Sequence, residues 1–238
     1  MIISHNHKFI FFKTRKTASS SIEIALSKYC GPDDILAVLH KDDQVIRESL
    51  GYPGPQNWEI GKSLQMHTGH RHIPQHSPAY SIMKWIDVEV WKSYFKFCFI
   101  RNPFDAAISR YWWDKSRSSI NSLRHILPMT HNDPFPCDIN VFIKNISSTI
   151  LSNWEIYGQD DGTVLMDFVG RYETLQDNLS PVSETLGLGN IDLPDAKRQH
   201  RKDYRHYSCV LNAESRAKIE QSCKRELEPM DYRWEFQQ

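Results

Sequence analysis

The sequence has no excess of charge, no closely spaced cysteine pair and no long apolar run. Lysine plus arginine equals aspartate plus glutamate at 29 each, so overall charge does not suggest a nucleic-acid or membrane-surface partner. The five cysteines are odd in number and widely spaced, which indicates neither a disulfide framework nor a thiolate zinc site. The N-terminal apolar run, residues 9–12, is too short for a signal peptide or a membrane span. We therefore expect a soluble, cytoplasmic protein with reduced thiols.

The chain of 238 residues is 40% hydrophobic, which is enough to bury a sizeable core. Four short apolar runs predict strands, at residues 8–13, 35–39, 95–100 and 163–169. Helical patterns alternate with these runs, which favours a parallel, doubly wound sheet flanked by helices. We therefore predict one α/β domain over residues 1–238, with a ligand crevice at the carboxyl ends of its strands.

Two predicted helices carry clear start signals. The first follows the strand at 8–13, and the serines at 19–21 are its capping candidates. The second has Asn102 as its N-cap and Pro103 at its first helical position, and it runs to about residue 115. Further helices are expected over residues 77–88, 139–151, 173–186 and 212–227.

Positive charge is concentrated at residues 13–16 and 197–206. The first of these segments belongs to a loop, residues 13–21, between a buried strand and a helix, where backbone N–H groups and the positive helix end can hold an anion. The loop has no glycine and lacks the Gly-Lys-Ser/Thr ending, which disfavours a nucleotide kinase of the Walker type. The alternative is that the serines only cap the helix while the lysines stay solvated.

Arg101 provides a second possible anion anchor. It follows the predicted strand at 95–100 and precedes a well-capped helix, so its guanidinium can point into the crevice and bind a phosphate through two hydrogen bonds. Ser109, further along that helix, can add a hydroxyl. Two anchors at strand-to-helix junctions predict a ligand with more than one phosphate.

These two junctions resemble the cofactor signatures of sulfotransferases that use 3′-phosphoadenosine 5′-phosphosulfate (PAPS). The first signature is Lys-Thr-Ala-Ser-Ser-Ser at residues 16–21, and the second is Ile-Arg-Asn-Pro-Phe-Asp at residues 100–105. The resemblance is closest to the carbohydrate-type branch of that family. It extends through residues 91–97, 169–175 and 204–207.

The resemblance implies a P-loop-like sulfotransferase fold, PAPS as the sulfuryl donor and 3′-phosphoadenosine 5′-phosphate (PAP) as a product. It places Lys16 at the bridging oxygen of the leaving 5′-phosphate, and Arg101 with Ser109 at the 3′-phosphate. Residues 201–205 would close over the nucleotide, although they lack the glycine-bearing loop of cytosolic sulfotransferases. The cofactor-binding residues implied are Arg15, Lys16, Thr17, Ala18, Ser19, Ser20, Ser21, Arg101, Ser109, Arg171, Arg201, Tyr204 and Arg205.

Sulfuryl transfer requires a base for the acceptor hydroxyl, and histidine suits this role near neutral pH. His67, His70, His72 and His76 all precede the strand at 95–100. The segment that begins at His76 resembles the part of the family that carries a histidine, so His76 is the favoured base and His67 the next candidate. The alternatives are solvated loop histidines with a carboxylate base elsewhere, and a zinc site formed by the first three histidines. Lysine and backbone donors can serve the transfer itself, so no metal is predicted.

The acceptor is predicted to be a hydroxyl group of a carbohydrate or glycoconjugate. Trp112 and Trp113 can line a groove for sugar rings, or they can be ordinary core residues. Two other functions stay open at this stage. One is a nucleotide kinase, which would need magnesium ligands and a glycine-rich loop. The other is a module that binds the nucleotide without turnover.

Overall fold

The computed structural model describes residues 1–59, 72–116, 135–194 and 200–237. Within these residues the strands are β1 (Ile2–Ser4), β2 (Phe9–Phe11), β3 (Ile35–Leu36), β4 (Phe95–Ile100) and β5 (Phe168–Arg171). They form a sheet in the order β3-β1-β2-β4-β5. Strand β4 pairs in parallel with β2 and β5, whereas β1 runs antiparallel to β2 and β3. The predicted α/β class, with a mostly parallel sheet, is confirmed.

The strand bounds refine the sequence predictions. β2 and β4 lie where the aromatic runs predicted them, and β3 begins at the predicted residue but is shorter. β5 begins at Phe168, so the predicted strand at 163–169 lay too early. The sequence analysis did not predict β1, because three residues are too few to show the alternation that marks a strand.

The helices occupy the connections between these strands and the segments that follow them. In chain order they are α1 (Ser19–Ser27), α2 (Lys41–Ser49), α3 (Ala79–Trp85), α4 (Val88–Ser93), α5 (Pro103–Ser116), α6 (Ile139–Asn145), α7 (Ser148–Leu151), α8 (Trp154–Tyr157), α9 (Leu175–Leu186), a 3₁₀ turn (Tyr207–Cys209), α10 (Ala213–Ser222) and α11 (Lys224–Leu227). No helix in the described ranges is both long and apolar enough to span a membrane.

Most helices lie near their predicted positions, and two predicted helices are each divided into two. The helix predicted at 139–151 is interrupted between α6 and α7, and the one at 212–227 is interrupted at Cys223. Pro181 lies inside α9 without ending it. Gly187, in the left-handed conformation, ends α9, which agrees with the predicted end of this helix at residue 186. Asn102 begins α5 as predicted, because its side-chain oxygen accepts a hydrogen bond from the Phe104 N–H at 3.0 Å.

The chain divides into two compact units. The first unit comprises residues 1–100 and 155–196, and it contains the sheet, α1 and α9. Its core contains Phe97, Phe99 and buried side chains of α1 and α9. Gly170 of β5 is required by close packing, since a Cβ atom there would lie 2.5 Å from the Phe99 ring. The single domain over residues 1–238 stays a prediction.

The second unit comprises residues 101–154 and 197–238, and it is built on α5, α6 and α10. Aromatic side chains form much of its core. Phe104 stacks on Tyr207 with ring centroids 5.2 Å apart, and Trp234 meets Phe104 edge to face at 5.0 Å. These contacts attach the start of α5 to the 3₁₀ turn and to the C-terminal segment.

Candidate functional site

The loop between β2 and α1 ends in an unusual helix start. Lys16 and Ala18 both adopt left-handed backbone conformations, with φ values of 65° and 55°. Non-glycine residues rarely adopt this conformation, and such residues cluster at ligand sites. Ala18 is the N-cap residue of α1, so the prediction that a serine at 19–21 caps the helix is wrong.

The three serines instead form the first turn of α1, and each is only 5–6% exposed. The first N–H groups of a helix have no acceptor within the helix, and the N-cap residue Ala18 makes no side-chain cap hydrogen bond here. N–H groups at the positive end of a helix suit an anion. Anion binding by this loop stays a prediction.

Hydroxyl groups in the loop hold its shape. The Thr14 hydroxyl donates to the Phe99 carbonyl of β4, and the Ser19 hydroxyl donates to the Thr14 carbonyl at 2.7 Å. The Thr14 and Thr17 hydroxyls lie 2.8 Å apart. The predicted ligand-binding side chains of Thr17 and Ser19 are therefore engaged within the loop, so the loop's anion donors are mainly its backbone N–H groups.

The positive charge at residues 13–16 is not all available to a ligand. Lys13 is 2% exposed, and its Nζ lies 2.9 Å from Oε2 of the buried Glu23. The amino group of Met1 binds the other carboxylate oxygen of Glu23 at 2.6 Å. Burial raises the pKa of Glu23, but the charges of Lys13 and Met1 outweigh burial and lower the pKa to about 2. Glu23 therefore stays ionised and holds Lys13 away from solvent.

Arg15 and Lys16 are the cations of this segment that keep partial exposure. Arg15 Nη2 lies 2.6 Å from Oε1 of Glu155, a carboxylate that is 46% exposed. A pair so open to water is weak, and an anionic ligand can compete for the guanidinium. Lys16 is half-buried in the loop, within the segment that carries the two left-handed residues.

His76 lies in the first unit against the same loop. Its Nδ1 donates a hydrogen bond to the carbonyl of Lys13 at 2.7 Å, which leaves Nε2 as the basic nitrogen. Burial is the main cause that lowers the pKa of His76 to about 3, and the charges of Lys13, Arg15 and the Met1 amino group contribute to the same shift. The imidazole is therefore neutral, which is the protonation state that a general base requires.

The other candidate histidines are only partly covered by the structure. His67 and His70 lie outside the described residues. His72 stacks on Trp58 with ring centroids 3.9 Å apart. Within the described ranges no group of three or more His, Cys, Asp or Glu side chains could hold a metal ion. The absence of a metal requirement stays a prediction.

The depressed pKa of His76 predicts a pH-dependent stability. Below its ordinary pKa of 6.5, an unfolded chain takes up a proton on this imidazole, whereas the folded chain does not until about pH 3. Acid therefore favours the unfolded state. Between pH 7 and pH 5 the wild type should lose about 2 kcal/mol of unfolding free energy relative to His76→Asn. Urea unfolding at the two pH values measures this difference, and parallel pH dependence of both proteins would contradict it.

In the second unit, Arg101 and Arg201 share the carboxylate of Asp105. Arg101 Nε lies 2.7 Å from Oδ2, and Arg201 Nη1 lies 2.7 Å from Oδ1. Ser109 lies one turn after Asp105 on the same side of α5 and is half-buried. The structure thus brings together two of the predicted cofactor-binding arginines. The sequence analysis assigned no role to Asp105, although its i, i+4 spacing from Arg101 was a local signal.

The remaining predicted cofactor residues are more exposed. Arg171 is the exposed last residue of β5, in the first unit. Tyr204, in the second unit, is 73% exposed. Arg205 is also exposed, and its guanidinium binds both carboxylate oxygens of Asp203, with Nη2 at 2.6 Å from Oδ2. Among the described residues, the Asp105 carboxylate binds Arg101 and Arg201 rather than Tyr204 or Arg205.

Trp112 and Trp113 have different surroundings. The Trp112 ring packs edge to face on the buried Tyr111 at 5.3 Å, and Trp113 packs on His200 at 4.6 Å. Trp112 also lines an open cavity of about 300 Å³ in the second unit, together with Lys115 and other polar residues. Trp112 thus packs on the core and also faces a cavity, while its role at sugar rings stays a prediction.

The described residues thus combine an α/β sheet, a basic strand-to-helix loop and a neutral histidine beside that loop. Residues 1–155 match the sequence profile of the sulfotransferase family. The chain belongs to the sulfotransferase family, and sulfuryl transfer is the general activity that this membership supports. The fold is consistent with that family.

The chain is also similar to an uncharacterized protein of Archaeoglobus fulgidus, with 26% identity over 113 residues. The similarity covers 47% of this chain and 82% of the archaeal protein. No solved structure matches the chain significantly.

Proposed function

We propose that the protein transfers a sulfuryl group from PAPS to a hydroxyl group of a carbohydrate or glycoconjugate. The observation that carries the proposal is the buried first turn of α1, which follows a loop with two left-handed residues and begins at Ala18, a residue without a capping side chain. Backbone N–H groups arranged in this way suit the 5′-phosphate of a nucleotide. Family membership favours PAPS as that nucleotide.

Lys16 is proposed as the residue that stabilises the leaving group. Negative charge grows on the bridging oxygen of the 5′-phosphate when the sulfur–oxygen bond breaks, and a nearby ammonium group lowers the energy of that state. The N–H groups of residues 17–21 supply further stabilisation. Lys13 cannot take this role, because Glu23 holds its ammonium group in the interior.

His76 is proposed as the general base. The acceptor oxygen attacks sulfur in line with the leaving oxygen, and Nε2 of His76 takes the proton of the acceptor hydroxyl. The hydrogen bond from Nδ1 to the Lys13 carbonyl fixes the tautomer that has its lone pair on Nε2. The products are the sulfated acceptor and PAP.

Arg101 and Ser109 are proposed to bind the 3′-phosphate. Arg101 directly follows the last residue of β4, and Ser109 lies two turns along α5. A guanidinium is suited to phosphate because its N–H groups match pairs of phosphate oxygens. Arg201 lies on the same carboxylate as Arg101, which favours a role for it at this phosphate too.

The acceptor class and the location of the protein have weaker support. The proposed carbohydrate acceptor follows from the resemblance of the signatures to the carbohydrate-type branch. Trp112 beside an open cavity is compatible with it, because aromatic faces suit sugar rings. A cytoplasmic location is proposed because all five cysteines are free thiols.

Calorimetric titration with PAP, and separately with ATP and magnesium, tests the proposal. We expect metal-independent binding of PAP that is much tighter than binding of magnesium ATP. The anion site is a set of backbone N–H groups, and the loop lacks the glycine-rich turn of kinases. A preference for magnesium ATP would refute the proposal in favour of a kinase. PAP binding without PAPS hydrolysis or transfer to any acceptor would indicate a non-catalytic module.

A further inference from the structure

The Asp105 carboxylate of α5 joins two arginines that lie far apart in the sequence. Arg101 Nε donates to Oδ2 at 2.7 Å, while Nη1 of Arg201, 96 residues beyond Asp105, donates to Oδ1 at 2.7 Å. The side chains of Arg101 and Arg201 are 9% and 15% exposed. Charged hydrogen bonds that are largely shielded from water are strong, so this cluster is a fixed part of the second unit.

Asp105 is ionised in this cluster. Burial raises its pKa, but the charges of Arg101 and Arg201 outweigh burial and hold the pKa below its ordinary value. One negative charge therefore lies between two positive charges. The cluster keeps a net positive charge, and the carboxylate reduces the repulsion that would otherwise separate the guanidiniums.

Arg201 is fixed by a second contact. Its Nε donates to the Asp203 carbonyl at 2.6 Å, in addition to the hydrogen bond from Nη1 to Asp105. The remaining nitrogen, Nη2, has no hydrogen-bond acceptor in the part of the chain that the structure describes. A long side chain held in this way keeps a donor for a ligand and loses little conformational freedom when the ligand binds.

We propose that Asp105 is a positioning residue that holds Arg101 and Arg201 side by side, so that both guanidiniums bind one phosphate group, the 3′-phosphate of the nucleotide. This inference rests on the proposed function. It adds Asp105, which contacts no phosphate itself, as the residue that organises the phosphate site.

The effect of Asp105→Asn distinguishes positioning from simple electrostatics. A carboxylate repels a phosphate, so electrostatics alone predicts that its removal strengthens the binding of PAP. Positioning predicts the opposite, because the two guanidiniums lose their common anchor. We expect Asp105→Asn to weaken PAP binding about tenfold or more, and to leave binding of adenosine 5′-monophosphate, which lacks the 3′-phosphate, nearly unchanged.

Glu220→Gln is the matched control, since Glu220 accepts a hydrogen bond from Arg216 Nε at 2.8 Å with the same i, i+4 spacing. It should bind both nucleotides like the wild type. Arg201→Ala is a second test that leaves the pair of Arg101 and Asp105 in place. It should also reduce the preference for PAP over adenosine 5′-monophosphate.

Calorimetry of the full-length chain with both nucleotides separates the outcomes. Unchanged or tighter PAP binding by Asp105→Asn would overturn the inference, as would an unchanged nucleotide preference in Arg201→Ala. A wild type that does not prefer PAP over adenosine 5′-monophosphate would refute the 3′-phosphate site itself, and with it the proposed function. Equal weakening of both nucleotides by Asp105→Asn would show a general structural role and would also overturn the inference.

Discussion

Replacement of Lys16 by alanine is expected to lower kcat about 100- to 1,000-fold while weakening PAP binding about tenfold at most. The ammonium group of Lys16 is needed most when charge develops on the leaving oxygen, so its loss affects the transition state more than the bound nucleotide. Alanine is tolerated at this left-handed position about as well as lysine, so the backbone of the loop should keep its shape. Steady-state transfer and PAP titration of the same preparation measure the two effects.

Lys28→Ala is the matched control for this experiment. Lys28 is the exposed C-cap residue of α1, so its replacement removes one positive charge from the same unit at the opposite end of the helix. It should change neither kcat nor PAP affinity appreciably. Losses of equal size in kcat and in PAP affinity for Lys16→Ala would show that Lys16 binds the nucleotide without a specific role in transfer.

Replacement of His76 by asparagine is expected to lower kcat about 100-fold or more without weakening PAP binding. The asparagine amide can replace Nδ1 as the donor to the Lys13 carbonyl, so the contact that anchors the side chain is retained. The variant has no counterpart of the basic Nε2. Steady-state transfer assays and PAP titration of both proteins measure the two effects.

His5→Asn provides the comparison for this second experiment. His5 is another half-buried histidine of the first unit with an engaged Nδ1, which lies 2.8 Å from the Tyr94 hydroxyl. It should transfer sulfuryl groups at the wild-type rate. Near-normal transfer by His76→Asn would exclude His76 as the base and make His67 the next candidate to replace.

Features with local causes could be predicted from the sequence. The aromatic runs of β2 and β4 are typical of buried strands, and Asn102 with Pro103 marks the start of α5 by residue type alone. The anion-binding capacity of the loop at 13–21 follows from its position between a strand and a helix. Local residue patterns are therefore sufficient for β2, β4 and the start of α5, and they indicate two segments that we propose to bind the ligand.

Features that depend on long-range contacts could not be predicted in this way. Ala18 caps α1 because the folded loop requires a left-handed residue there, whereas residue preference alone favoured a serine. The ion pair of Lys13 with Glu23 joins the start of the loop to α1, and no local residue pattern indicated it. The contact of Arg201 with Asp105 spans 96 residues. These contacts determine which lysine and arginine side chains are paired in the interior and which can bind a ligand.

The hydroxyl network inside the loop affects how a mutational scan should be interpreted. Thr14, Thr17 and Ser19 hold the loop in shape through their own hydrogen bonds, so replacing any of them would reorient the N–H groups that face an anion. A survey that scored only nucleotide affinity would count all three as ligand contacts. The distinction is visible in the free protein, because a residue that shapes the loop changes its amide chemical shifts before any nucleotide is added.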